Sequence, residues 1–284
     1  APPPLCSLAP AMLPTLSQVC TLHAPFEQDL EDFAAGQCRS VELWLGKLET
    51  YLQTHTVDDV RALLDKHELA APVASYQGGL LTTQGDARHE HWAHFGKRLE
   101  LCRALGVQTL VIAGDIAGPL TQQDLERVRM SLVQAAEQAT AADVRLALEF
   151  QANAALANNL QSAASLVADI ASPHLGLCLD LFHYYCGPSK AEDWGYLTPH
   201  NLFHVQVCDL LGVARELATD ADRILPGDGD FLLSPLIEHL GSIGYVGPVS
   251  IELMNHQIWQ ISPRNFGEIA MTALRKLLGQ AGMG

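Results

Sequence analysis

Short apolar runs alternate along the chain with longer stretches in which apolar residues recur every three or four positions. The runs predict strands at 18–23, 41–45, 72–76, 109–113, 145–150, 175–180, 203–208 and 248–252. Most are continuously apolar, as strands covered on both faces must be. The longer stretches predict helices at 26–35, 57–67, 88–105, 121–142, 160–171, 232–240 and 263–278. The last of these sets Ile269, Ala273, Leu274, Leu277 and Leu278 against Arg275, Lys276 and Gln280, the pattern of a surface helix laid on a sheet or barrel.

Eight strand units in 284 residues average about 35 each, which suits a (β/α)8 TIM barrel of about 250 residues with a few long loops. An open doubly wound sheet is the rival, but the first predicted strand ends Thr21-Leu22-His23-Ala24-Pro25, with no glycine to let a phosphate approach. Gly187-Pro188-Ser189-Lys190 reads as a loop inside the pattern, so residues 1–284 form a single domain. The longest loops, 77–88, 183–201 and 209–232, follow strands three, six and seven and belong on the catalytic face of such a barrel.

Composition narrows the partners. A chain that is 48% hydrophobic and 17% charged buries a core and is not disordered. Its net charge of −15 repels phosphate backbones and anionic membranes, which excludes nucleic acid as a first choice. The seven cysteines (6, 20, 38, 102, 178, 186 and 208) lack CxxC spacing and read as free thiols of a reducing compartment. No apolar run approaches the roughly 20 residues of a membrane span, and Ala1-Pro2-Pro3-Pro4 lacks the features of a signal peptide, so a cytoplasmic protein is expected.

The late strands end in polar residues of one kind: Glu149, Asp180, Gln206 and Glu252, with Asp209 just beyond. A carboxylate closing an apolar strand is costly unless paired or bound to a cation. One alone is more often a cap, but four successive strands doing this, with few Lys or Arg nearby in sequence, point to a shared divalent ion held by Glu149, Asp180, Gln206 and Glu252. An oxygen-dominated set suits Mn²⁺ first, with Mg²⁺ or Co²⁺ as alternatives, better than Zn²⁺. His183 follows on the turn after strand six and serves as a substrate hydrogen-bond donor or acid. Arg223 is one of few cations near the mouth, with Arg215 as competitor, and Trp44 and Tyr76 are placed to line the pocket with Glu42, His23 and Trp259. Cys178 and Cys208 are expected to point away toward the helices. Gly227-Asp228-Gly229-Asp230 reads as a tight turn, and His89, His91 and His94 as solvated surface.

Several of these segments resemble one family. Leu148-Glu149-Phe150, Leu179-Asp180-Leu181-Phe182-His183, His204-Val205-Gln206-Val207-Cys208-Asp209, Arg223-Ile224-Leu225-Pro226-Gly227-Asp228-Gly229 and Gly247-Pro248-Val249-Ser250-Ile251-Glu252-Leu253 are similar, in order and spacing, to the xylose-isomerase-like barrels. That group includes sugar isomerases and epimerases, hydroxypyruvate isomerase and metal-dependent 3-dehydroshikimate dehydratases. The resemblance implies a metal on Glu149, Asp180, Gln206 and Glu252, with Gln206 where many members carry His. It also implies α-proton abstraction from a ketose or related hydroxy-carbonyl compound, with Glu149 and Glu252 on opposite sides of the substrate. A dehydratase of the dehydroshikimate or inosose type is the alternative, beginning with the same abstraction and ending in loss of water. The few cations at the mouth, Arg215, Arg223 and Lys190, favour a neutral or singly charged carbohydrate-like substrate. A homo-oligomer is compatible with the group. The abasic-site endonucleases share the barrel but need a cationic groove, which the net charge opposes, and a non-catalytic binding protein would have lost a ligand.

Overall fold

Eight parallel strands close on themselves in chain order in the computed structural model, which describes residues 11–280. They are β1 (Leu13–Ser17), β2 (Ser40–Trp44), β3 (Ala70–Gln77), β4 (Thr109–Ala113), β5 (Arg145–Glu149), β6 (Leu175–Asp180), β7 (Leu202–Val207) and β8 (Pro248–Ile251). The helices are α1 (Phe26–Ala35), α2 (Leu45–Tyr51), α3 (Val57–Lys66), α4 (Gly85–Leu105), α5 (Gln122–Ala142), α6 (Leu160–Ile170), α7 (Leu181–Cys186), α8 (Leu233–Ser242) and α9 (Pro263–Leu277). The fold is therefore a single (β/α)8 TIM barrel. Cys6 and the Ala1-Pro2-Pro3-Pro4 opening lie outside the described residues. Within them no helix is long and apolar enough to cross a membrane, and Cys20, Cys38, Cys102, Cys178, Cys186 and Cys208 are free thiols.

Local chemistry sets the helix starts. Thr56 with Asp59 and Thr121 with Asp124 form reciprocal capping boxes on α3 and α5, and Asn159 and Ser262 cap α6 and α9. Three expectations need correction. The strand expected at 18–23 lies earlier, at Leu13–Ser17, and Gln18–Thr21 is a buried 3-10 turn. Pro14 disguised the strand. It is tolerated because β1 meets β2 only at Leu16 and Ser17, and beyond Ser17 the Gln18 side chain takes over, its Oε1 accepting from the Trp44 N–H at 3.1 Å. The buried face of α9 is Pro263, Phe266, Gly267, Ala270, Met271 and Leu274, leaving Ile269 49% exposed. The segments opening the loops after β2 and β6 are helical, as α2 and α7, because each continues directly from its strand.

The barrel interior is layered. Val73, Val111, Ala147, Cys178 and Phe203 fill its lower part as an apolar plug. A bulge in β7, where Leu177 pairs with Leu202 and Cys178 with His204, turns Phe203 inward and still aims His204 and Gln206 into the barrel. Gly176 makes room, since a Cβ there would meet the Phe203 ring at 2.7 Å. Cys178 therefore faces inward, two residues from Asp180 on the same side of β6, and its thiol donates to Gln206 Oε1 at 3.0 Å. That corrects the expected outward orientation; Cys208 does join the helix-facing core.

Above the plug the interior turns polar. Glu42 is fully buried and accepts from His204 Nε2 and Gln206 Nε2, both at 3.0 Å, and from the Ser75 hydroxyl. Although burial pushes its carboxyl up, the neighbouring His204 and these hydrogen bonds outweigh that and hold it below the usual carboxylate range.

A second buried charge pair ties the β1 and β2 loops together. Lys47 and Asp29 form an ion pair, Lys47 Nζ also donates to Thr21 O at 2.6 Å, and Thr21 Oγ1 donates to Asp29 at 2.8 Å. Burial raises the Asp29 carboxyl to about 7 despite Lys47. Lys47→Met is expected to destabilise the protein by about 3–5 kcal/mol at pH 8 by stranding that carboxylate. Without Lys47 the Asp29 carboxyl rises further, so the variant takes up a proton there and the loss shrinks as pH falls from 8 toward 7, and Asp29→Asn added to Lys47→Met recovers much of it. Urea unfolding of the four proteins of this double-mutant cycle measures both effects.

Candidate active site

The carboxyl ends of β5, β6, β7 and β8 converge on a pocket of about 230 Å³ lined by Trp44, Tyr76, Glu149, Gln151, His183, Gln206, Asp220, Arg223, Glu252 and Met254. Strand geometry delivers the acids. Glu149 closes β5, Glu252 follows β8, and Asp180 is both the last residue of β6 and the cap of α7, its Oδ1 accepting from the Phe182 N–H at 2.7 Å. Because α7 starts at once, His183 swings back over its own strand. Ligand-type atoms of Glu149, Asp180 and His183 all lie within 4.8 Å of one another, with His183 Nε2 3.9 Å from Asp180 Oδ2 and 4.0 Å from Glu149 Oε1. Its Nδ1 accepts from the Ala152 N–H at 3.5 Å.

Arg223 reaches the same place from the loop after β7. A two-residue antiparallel bridge, Asp209 N to Ile224 O at 2.9 Å and Ile224 N to Asp209 O at 3.0 Å, pins that loop against the mouth. The Asp209 carboxylate accepts from the N–H groups of Leu210, Gly227 and Phe231, which makes Asp209 the clamp of the loop. The 227–230 stretch is the expected turn, with Gly227 at φ +92°. Arg223 Nη1 then lies 2.8 Å from Asp180 Oδ2 and 3.0 Å from Glu252 Oε2, its Nε and Nη2 donate to Asp220, and its guanidinium covers Phe182 at 4.5 Å. Asp180 Oδ2 is off the N–H axis of this contact, and no donor satisfies it.

Charge is unevenly balanced. Glu149 is pushed well above the usual carboxylate range by burial and by the charge of Asp180. Glu252 is raised by burial and by Glu149 and Asp180, with Arg223 opposing. Asp180 stays low because Arg223, His183 and the Phe182 N–H outweigh its own burial. Burial lowers the His183 imidazole against the pull of Asp180. Three buried carboxylates thus share one guanidinium and one imidazole disposed to be neutral. Excess negative charge, an oxygen without a donor and a set of oxygen-rich side chains together fit a divalent cation.

The sequence reading placed Glu149, Gln206, Glu252, His183, Arg223, Trp44 and Tyr76 at one site, and the structure brings all of them to this pocket, with Asp180 beside them. Gln206 takes an unforeseen orientation: its Nε2 donates to Glu42 and to Glu252 at 2.9 Å, and its Oε1 faces Cys178. His23 and Trp259 do not line the pocket. They pack edge to face at 5.2 Å, and the Trp259 indole donates to Val19 O. Arg215 covers Tyr185 and Phe231, away from the carboxylates. His204 and Gln151 were not singled out. The inward parity of His204 with Gln206 was a usable signal, whereas nothing in the sequence marks Gln151.

Comparison with known proteins agrees with the barrel fold. The chain is 25% identical over 222 residues to a protein named inosose isomerase from Halalkalibacterium halodurans, covering 77% of this chain and 78% of that one. It is 26% identical over 161 residues to a 3-dehydroshikimate dehydratase from Pseudomonas aeruginosa, covering 56% of this chain and 25% of that protein. The solved IolI protein, whose structure carries a zinc atom, superposes with a TM-score of 0.88 at 22% identity over 95% of this chain and 99% of that one. A D-psicose 3-epimerase solved with D-fructose superposes at 0.76 and 17% identity, covering 94% and 100%. A family model described as xylose isomerase-like TIM barrel matches residues 33–277, and the chain belongs to that family.

Proposed function

We propose that the protein is a divalent-metal-dependent isomerase or epimerase of a ketose, keto-cyclitol or related hydroxy-carbonyl compound. The observation that carries this reading is the convergence of Glu149 and Glu252 in one pocket, with Asp180 beside them, a set of buried acids larger than Arg223 and His183 can keep ionised. These three carboxylates would hold the ion, with Gln206 as a fourth donor only if its amide turns Oε1 from Cys178 toward them, and Mn²⁺ suits the hardness of the oxygen set. When bound, the ion supplies Lewis-acid polarisation of a carbonyl and its neighbouring hydroxyl.

The chain's own groups do the rest. Glu149 takes a proton from the carbon beside the carbonyl, and Glu252, reaching in from β8, returns one. A base suits this task when its proton affinity is raised toward neutrality, the direction in which burial moves both groups. His183, with Nδ1 accepting a backbone N–H, presents its Nε2 side to the carboxylates and donates to a substrate oxygen. Trp44 and Tyr76, rings 5.3 Å apart, supply an apolar wall. Arg223, already engaged by Asp180, Asp220 and Glu252, leaves no free guanidinium for a phosphate in this pocket among the described residues, so the substrate is neutral or singly charged. The free thiols fit a reducing cytoplasm. The dehydratase alternative draws on His183 as an acid for a leaving hydroxyl and on the likeness to the 3-dehydroshikimate dehydratase.

Incubation of Mn²⁺-loaded protein in D₂O with ketoses, inososes and 3-dehydroshikimate separates the two. Deuterium entering beside the carbonyl without loss of water is the expected result; an unsaturated carbonyl absorbance assigns the dehydratase. No exchange with any of them overturns both. Chelation is expected to abolish turnover, and cation at 100 times its Kd is expected to stabilise the fold by about 2.7 kcal/mol, read as a rise in Tm.

A further inference from the structure

A second chamber, of about 580 Å³, lies beyond Trp44 and Tyr76, walled by Gly78, Gly79, Thr82, His91 and Asp115. The carboxylate pocket by itself, at about 230 Å³, is smaller than the roughly 300–1,000 Å³ of sites that enclose a drug-sized ligand, as suits a single sugar ring. The two spaces share Trp44 and Tyr76 as a common wall, and Tyr76 is 42% exposed. We propose that the chamber is a subsite for a second, neutral sugar ring, so that the substrate is a glycoside of the keto compound, its keto ring in the carboxylate pocket and its other ring beside Trp44 and Tyr76. This rests on the function proposed above and names its substrate class.

Two glycines let the wall pack closely. A Cβ on Gly78 would stand 3.0 Å from Asp115 Oδ2 and 3.4 Å from the Tyr76 ring. At Gly79, with φ +75°, a Cβ would fall 2.5 Å from the His91 imidazole. The glycines therefore make room for these side chains, and His91, expected on the solvated surface, packs over Gly79 instead. Two tilted aromatic rings offer the apolar surface on which the C–H face of a sugar lies.

Charge decides which second group fits. Arg98 also lines the chamber, but its Nε and Nη2 are held by the two Glu49 oxygens at 2.7 and 2.8 Å, and its Nη1 by Tyr76 O and Gln77 Oε1. His94 is likewise on Glu49 at 2.5 Å. A phosphate finds no free guanidinium here, and Asp115 repels it. Asp115 is turned to the backbone, its Oδ2 accepting from the Gly79 N–H, and the hydroxyl side chains of Thr82 and Tyr76 complete the lining. Such a wall matches hydroxyl groups.

The test compares D-fructose with three glucosyl-fructoses of different linkage (maltulose, turanose and isomaltulose) for α-proton exchange by Mn²⁺-loaded protein. Packing of a second ring is expected to raise kcat/KM about tenfold for at least one disaccharide over fructose, and Thr82→Trp, which fills the chamber, to erase that ratio. Saturation-transfer NMR reads the subsite independently of turnover: the second ring receives saturation from the wild type and not from Thr82→Trp, whose fold is checked by circular dichroism. Exchange of fructose with no disaccharide advantage overturns the subsite and leaves the isomerase reading standing. If nothing exchanges, the isomerase reading fails, and the NMR alone decides the subsite: saturation on the second ring supports it and silence there overturns it.

Discussion

Glu149→Gln is expected to slow α-proton exchange on a keto-sugar by about 10²–10⁴-fold, at no cost in stability. The amide keeps the shape of the side chain at the end of β5 but cannot accept the proton. In the parent without a bound cation, burial and the charge of Asp180 hold the Glu149 carboxyl well above its ordinary value. The folded protein therefore keeps a proton that the unfolded chain releases, so the contribution to stability is full below the unfolded pKa and is lost as pH rises through the folded one. A neutral amide has nothing to lose over that range. In the presence of chelator, Glu149→Gln should thus match or exceed the parent in Tm at pH 8, with the difference closing toward pH 5. Exchange within tenfold of the parent, alongside an inactive Glu252→Gln, would move the role of base to Glu252.

Arg223→Met should have a large effect on stability. Arg223 is 1% exposed and lies against Asp180, Asp220 and Glu252. Removing one partner of a buried ion pair strands the others, at a cost of about 3–5 kcal/mol, or a fall in Tm of roughly 10 °C for a chain of this size. The pH dependence carries the diagnosis. Asp180 is held low chiefly by Arg223 against its burial, so in the parent its contribution is present above the unfolded pKa and lost as pH falls through the folded one. Without Arg223 that advantage disappears and burial favours the protonated acid, so the variant should lose least at low pH. Added Mn²⁺ should restore part of the loss at pH 8 by supplying the missing positive charge. Equal Tm for parent and variant across pH 5–8 would show that the arginine does not balance these acids.

The barrel was legible because parallel strands covered on both faces must be apolar throughout, and β4 and β6 were placed to the residue by that rule. The rule fails where polar chemistry replaces the ladder. At β1 a proline hid the real strand, and an apolar run that forms a 3-10 turn imitated one. On α9 the apolar positions 269, 273, 274, 277 and 278 straddle two faces, whereas packing of α9 on α1 selects Phe266, Ala270 and Leu274. At the site, strand ends announced Glu149, Asp180, Gln206 and Glu252, since a carboxylate after an apolar run needs a reason. The pairing of Arg223 with Asp180 and Glu252 is not readable, because it depends on how a long loop folds back, and that is set by the Asp209 clamp eighteen residues before Gly227. The orientation of the Gln206 amide depends on Glu42, 164 positions away in sequence. Pairs so distant leave no local pattern.

Crystals of the protein soaked with Mn²⁺ and measured at the manganese absorption edge would test the central claim most directly. The account predicts a single anomalous peak within coordination reach of Glu149, Asp180 and Glu252. Arg223 still bridging Asp180 and Glu252, with no peak between the three acids, would contradict it.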